Sequence, residues 1–136
     1  MKIHIAMKPV GYQRMRMSRG RLHPPTKYVQ AKRVMSSAMR EQYNGLPFDC
    51  AVRVNMTFGM GPIPKSVSKA ERARREKIGW FPQKPDLDNL EKAVLDAGNG
   101  ILWKDDALVV VKTACKVYGE HGLTIIFEPV VPLGAE

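Results

Sequence analysis

Between residues 48 and 58 apolar and polar side chains alternate without a break. Phe48, Cys50, Val52, Val54, Met56 and Phe58 oppose Asp49, Ala51, Arg53, Asn55 and Thr57. A two-residue period places six apolar groups on one side of an extended chain. Such a strand needs a sheet with one covered face and one solvated face, which is the pattern of antiparallel pairing. The rest of the chain has to supply the partner strands and the cover.

Partners are present at both ends. Ile3, Ile5 and Met7 alternate with Lys2, His4 and Ala6 in a short first strand, with His4 at the surface. Residues 108–118 and 123–127 read as two strands joined by the turn Gly119-Glu120-His121-Gly122, with Val109, Val111, Thr113, Cys115 and Val117 on one face. Helices provide the cover. Over residues 26–43, Tyr28, Ala31, Met35, Ala38, Met39 and Gln42 recur at helical spacing, Thr26 can cap, and Asn44-Gly45 and Pro47 stop the run. Ser68 and Glu71 form a capping-box pattern opening a short helix to about Ile78 that has little apolar face. Leu87, Leu90, Val94 and Ala97 mark a third helix ended by Gly98-Asn99-Gly100. The expected fold is α/β (α+β): a small, mostly antiparallel sheet with helices packed on one side.

The 136 residues are one domain's worth of chain, with a basic arm over residues 8–25 and a frayed tail over residues 129–136. No apolar run approaches the roughly 20 residues a membrane span needs. The N-terminus lacks an export signal's apolar region, so the expected location is cytoplasmic. Cys50 and Cys115 fall within strand alternations and read as two reduced core thiols.

Charge divides sharply along the chain. Residues 1–80 carry 17 Lys/Arg against 4 Asp/Glu, whereas residues 81–136 carry 5 against 9. The basic part suits a polyanion and the acidic part suits a site. The arm contributes Arg14, Arg16, Arg19 and Arg21, and the segment leading into the second helix adds Lys65, Lys69, Arg72 and Arg75. These are the candidate DNA contacts. Lys27, Lys32, Arg33 and Arg40 decorate the first helix.

The acids concentrate in Lys84-Pro85-Asp86-Leu87-Asp88-Asn89-Leu90 and in Trp103-Lys104-Asp105-Asp106. Like charges so close are unfavourable unless a cation compensates. Asp86, Asp88 and Asp106 suit Mg²⁺, with Mn²⁺ as a substitute, because hard oxygen ligands without histidine disfavour zinc. Lys92, one turn beyond Asp88, can share its face and stabilise charge on a phosphate. A purely structural reading stands beside this one. Asp86 caps its helix, Asp88 and Lys92 form an exposed i,i+4 ion pair, and Asp105-Asp106 makes a turn.

The acidic stretch, together with Lys92-Ala-Val-Leu-Asp-Ala97, Asn99-Gly100 and Trp103-Lys-Asp-Asp-Ala107, resembles the RusA family of Holliday-junction resolvases. The similarity extends to the first strand, to Arg14-Met15-Arg16, and to Pro62-Ile-Pro-Lys-Ser66 before a basic helix. The resemblance implies a homodimer that uses Mg²⁺ to nick two opposed strands of a four-way junction in DNA recombination and repair, often encoded by phage. It places the catalytic acids on Asp86, Asp88 and Asp106 and the catalytic lysine on Lys92. Asp105 also matches a family aspartate and ranks below Asp106. Met15 stands where the family often has proline, and Glu91 and Gly98 where many members carry apolar residues; Gly98 is expected to shorten the helix or loosen the following loop. Two alternatives remain at this stage: a non-catalytic basic nucleic-acid-binding protein, and a nuclease for other branched phage DNA intermediates.

Overall fold

The computed structural model describes residues 1–23 and 25–134. In chain order the elements are β1 (Lys2–Ile5), β2 (Arg16–Ser18), β3 (Arg21–His23), α1 (Thr26–Gln42), β4 (Val52–Gly61), α2 (Lys69–Ile78), α3 (Leu87–Gly98), a 3-10 turn at Asp106–Leu108, β5 (Val109–Val117) and β6 (Gly119–Pro129). The main sheet has the order β1-β6-β4-β5. β6 is antiparallel to both β1 and β4, and β5 is parallel to β4. The α/β fold with a mostly antiparallel sheet and helices on one side is the observed architecture.

The alternation of the central strand explains where the core sits. Val52, Val54, Met56 and Phe58 of β4 are buried, as are Ile3 and Ile5 of β1 and Leu123, Ile125 and Phe127 of β6. Facing them are Tyr28, Ala31, Met35 and Met39 of α1 and Leu90, Ala93, Val94 and Ala97 of α3. Both helices therefore lay a three- and four-residue stripe on one face of the sheet. α2 buries none of its residues and stands apart from this layer.

Four expectations need correction. The strand begins at Val52, because Phe48 pairs locally with the segment after α3: Phe48 N–H donates to Leu102 O and Lys104 N–H to Phe48 O, both at 2.9 Å. Cys50 therefore precedes the strand and is exposed. Cys115 is a free, half-buried thiol on the sheet face opposite the helices, since it pairs with outward-facing Thr57. Neither is a core thiol. β5 and β6 are not a hairpin: one residue, Tyr118, separates them, yet they flank β4 on opposite sides. That crossing passes over the end of β4 at two glycines. A Cβ on Gly59 would collide with the Glu120 carbonyl oxygen, and Gly61 has φ 98°. Gly98 does not loosen its loop. A Cβ there would meet the Trp103 ring at 2.6 Å, so the glycine admits a fully buried tryptophan against the end of α3.

The arm has more structure than its aperiodic sequence indicates. β2 and β3 pair as a small exposed hairpin, and Gly11 and Pro9 at its root are buried. Pro24 of the arm and the last two residues of the tail lie outside the described residues. No helix among the described residues is long and apolar enough to cross a membrane.

Candidate functional site

α3 organises the site. Asp86 occupies its N-cap position with no side-chain capping bond, so its carboxylate is not committed to the helix end. Lys84 reaches it instead, Nζ to Oδ1 at 2.6 Å, and this hydrogen bond holds the Lys84 ammonium above its ordinary range. Asp88 follows in the first turn, where an acid is favoured by the helix dipole. Its Oδ1 accepts from the Asn89 N–H at 3.0 Å.

The loop that presents these acids is anchored from the edge strand. Lys116 Nζ of β5 donates to Gln83 O at 2.7 Å and to Pro85 O at 2.9 Å. Lys112 of the same strand meets Glu91 of α3 at 3.4 Å. Strand β5 thus ties down both the approach to α3 and its second turn. Lys116 carries a sequence signal that is easily overlooked: a cation within an apolar alternation, at a position whose β4 partner is the buried Phe58.

The arm closes over the same end of α3. Tyr12 N–H donates to Asn89 O at 2.9 Å. The Lys92 ammonium lies 4.2 Å from the centre of the Tyr12 ring, an attractive cation–π arrangement. Among the described residues Lys92 forms no ion pair with Asp88, so the exposed i,i+4 pair of the structural reading is not what the structure contains. A cleft of about 580 Å³ is lined by Tyr12, Arg14, Arg16, Asp88 and Asn89 among others. An adjoining hollow lined by Lys84, Pro85 and Asp86 shares Tyr12, Gln13 and Asn89 with it. The structure thereby brings Arg14 and Arg16 of the arm beside Asp88 of α3, while Arg19 and Arg21 line a separate hollow at the hairpin.

The second acidic segment is placed differently. Asp105 is the N-cap of the 3-10 turn, its Oδ2 accepting from Ala107 N–H at 3.1 Å. Asp106 is the first residue inside that turn, which contacts α3. The turn follows a rigid support: Trp103 is fully buried and its Nε1–H donates to Leu95 O and Asn99 Oδ1, both at 3.2 Å. Among the described residues no three His, Cys, Asp or Glu side chains stand together as a metal-binding group. Asp86 and Asp88 share the neighbouring hollows of one cleft, and Asp106 is carried separately. As a donor set, all three are hard carboxylate oxygens, the chemistry that suits Mg²⁺.

The basic candidates fall into two groups. Arg14, Arg16, Arg19 and Arg21 are exposed on the arm and form no ion pair among the described residues. Lys65 and Lys69 are exposed near α2. Arg72 donates to Pro64 O at 2.9 Å, and Arg75 donates to Glu71 at 2.8 Å. Arg74 joins them, giving Glu71 two guanidinium partners whose hydrogen bonds hold its carboxyl down at about 2. Ser68 Oγ accepts from Glu71 N–H at 3.1 Å, the expected cap.

Two residues that the sequence reading passed over belong to this region. Tyr12 is an aromatic placed among cations, and its position over Lys92 gives it a part in the cleft. Asp96 lies eight residues beyond Asp88, two helical steps of four, and accepts the Tyr28 hydroxyl at 3.3 Å. Burial, reinforced by the Asp96 charge, pushes the Tyr28 phenol above its ordinary range.

Over 63 residues the chain is 45% identical to the uncharacterized protein YqaN of Bacillus subtilis (strain 168). That stretch is 44% of this chain and 44% of YqaN, so less than half of the relative's length is spanned. The family model described as endodeoxyribonuclease RusA matches residues 6–127, from just after the first strand into the last and across the whole acidic cleft. With that span matched, the chain belongs to the RusA endodeoxyribonuclease family.

Proposed function

We propose that this protein is a Mg²⁺-dependent, structure-selective DNA endonuclease that resolves four-way junctions by paired nicks and works as a homodimer. The observation that carries the reading is the juxtaposition of Asp88 with Arg14 and Arg16 in one cleft. Carboxylates beside unpaired arginines fit a site where a phosphodiester is both bound and attacked. Family membership supports the same class of reaction.

In this reading Asp86 and Asp88 would hold the cation, and Asp106, carried separately on the 3-10 turn, would have to approach them to complete the set. Asp105 is a lesser candidate because its carboxylate is engaged in its own turn. When bound, the cation supplies Lewis acidity and a water of lowered pKa. The chain's own groups do the rest. Lys84 pairs with Asp86 and offsets its charge. Arg14 and Arg16 bind phosphates flanking the scissile one, and their charge makes affinity fall as salt rises. Lys92, held over Tyr12, offers a positive charge to the phosphate or leaving oxygen. A two-fold dimer suits the substrate, since a four-way junction offers two equivalent strands to two equivalent sites.

The test is cleavage of a synthetic four-way junction beside linear duplex of the same sequence, with Mg²⁺ and without. Symmetric nicks confined to the junction and dependent on the metal are the expected result. Salt-sensitive binding with no cleavage in Mg²⁺ or Mn²⁺ would instead identify a non-catalytic binding protein. Preferential cutting of flaps or forks would keep the nuclease and change its substrate.

A further inference from the structure

A second hollow, of about 620 Å³, lies between the arm and α1 and shares Tyr12 and Met15 with the acidic cleft. Its construction is unlike that of the cleft. The wall from α1 is a helical stripe, Val29, Lys32, Arg33, Ser36 and Arg40, spaced at three and four residues beside the core-facing stripe. Lys32, Arg33 and Arg40 are exposed and make no ion pair among the described residues. The interior is apolar and aromatic. Tyr12 and Tyr28 meet edge to face, with ring centres 5.3 Å apart at 82°, and Met15 is largely exposed beside them. Asp96 sits among these residues, already accepting the Tyr28 hydroxyl.

We infer that this hollow receives one unpaired nucleotide of the DNA strand that runs through the neighbouring acidic cleft. Charge sets the orientation. The three cations of α1 attract a phosphate at the rim, while the Asp96 carboxylate repels one from the interior and leaves room there for an uncharged base. The base then contacts Tyr12 and Met15 above the buried Tyr28, an aromatic and a thioether surface suited to a π face of any sequence. A four-way junction is base-paired up to its crossover, but a pair at the crossover of unstacked arms has lost a stacking neighbour and costs less to open than a pair inside regular duplex. A pocket for an extruded base next to the acids therefore favours branched DNA over duplex without reading sequence.

The inference rests on the nucleic-acid reading of the adjoining cleft, and its test is chosen to separate the two. Affinity of the wild-type protein is measured, without metal, for a single-stranded thymidylate octamer and for an abasic octamer carrying the same phosphates. The thymidylate strand is expected to bind about tenfold more tightly, the contribution of one stacked base. The double variant Lys32→Glu/Arg33→Glu is expected to weaken binding of both strands, and Met15→Glu to remove most of the difference between them. Equal affinity of the wild type for the two strands would overturn the inference, as would affinity unmoved by Lys32→Glu/Arg33→Glu. Base-dependent binding by a protein that cuts no branched DNA would refute the nuclease and leave the pocket standing. Metal-dependent junction cleavage with base-independent binding would do the reverse.

Discussion

Two groups of arginines in this molecule look alike in sequence and differ in what they have left to offer. On α2, Arg74 and Arg75 both hold Glu71, and Arg72 holds the Pro64 carbonyl. Arg75 also lies 5.9 Å from the centre of the Tyr118 ring. On the arm, Arg14 and Arg16 line a cleft with Asp88 and have no ion pair among the described residues. The α2 arginines are spent on a helix that buries no residue of its own, whereas Arg14 and Arg16 remain free beside Asp88 among the described residues. A count of basic residues therefore overstates the polyanion surface. The useful quantity is positive charge not already neutralised within the chain.

The strongest challenge to this contrast is charge reversal on the arm. Arg14→Glu with Arg16→Glu is expected to weaken binding of branched DNA by about a hundredfold and to flatten its salt dependence. Thermal stability should be unchanged, because neither side chain holds anything else in place. Equal loss from Arg74→Ala with Arg75→Ala, assayed in parallel, would erase the distinction.

A smaller effect sharpens it from the other side. Glu71→Gln removes the acid that occupies two guanidinium groups, and the released charge should raise DNA affinity by a few-fold at low salt. A fall in affinity would mean that Glu71 orders α2 for binding. The smallest effect is local and depends on pH. Glu71 titrates at about 2 in the folded chain rather than at 4.5, so its pairing contributes fully above pH 4.5. That contribution is lost as pH falls from 4.5 through about 2. NMR titration of the Glu71 carboxyl should give a midpoint near the lower value; a midpoint near 4.5 would show that the two arginines are free after all.

Much of the architecture was legible in residue order because it follows from local periodicity. The β4 alternation, the α1 and α3 stripes and the Ser68–Glu71 cap all report a preference that neighbouring residues express together. Failures came where a distant segment decided the outcome. Phe48 and Cys50 continue the alternation in sequence, yet residues 102–104 capture Phe48 first. β5 and β6 are joined by one residue, a spacing that reads as a hairpin, but the glycines of β4 let the chain cross over and pair on both sides of it. Gly98 looked like a weakness and is the space that Trp103 fills.

The acids divide in the same way. Asp86 and Asp88 were legible as a helix start with carboxylates left over. What sequence did not reveal was the arm lying across them, because residues 8–14 have no periodicity to place them. Tyr12 reaches α3 through a backbone hydrogen bond and a cation–π contact, neither of which leaves a pattern along the chain. Asp96 was hidden by its setting within an apolar helix, although its spacing from Asp88 puts it on the same side.

The central claim is that binding and cleavage are carried by adjacent but separate groups, the unpaired cations of the arm and the carboxylates of α3. Asp88→Asn tests it most directly, with junction affinity and metal-dependent cleavage measured on the same preparation. Affinity within about threefold of wild type, with cleavage reduced at least about a hundredfold, is the predicted result. Unchanged cleavage would remove Asp88 from the chemistry, and loss of binding together with cleavage would contradict the separation itself.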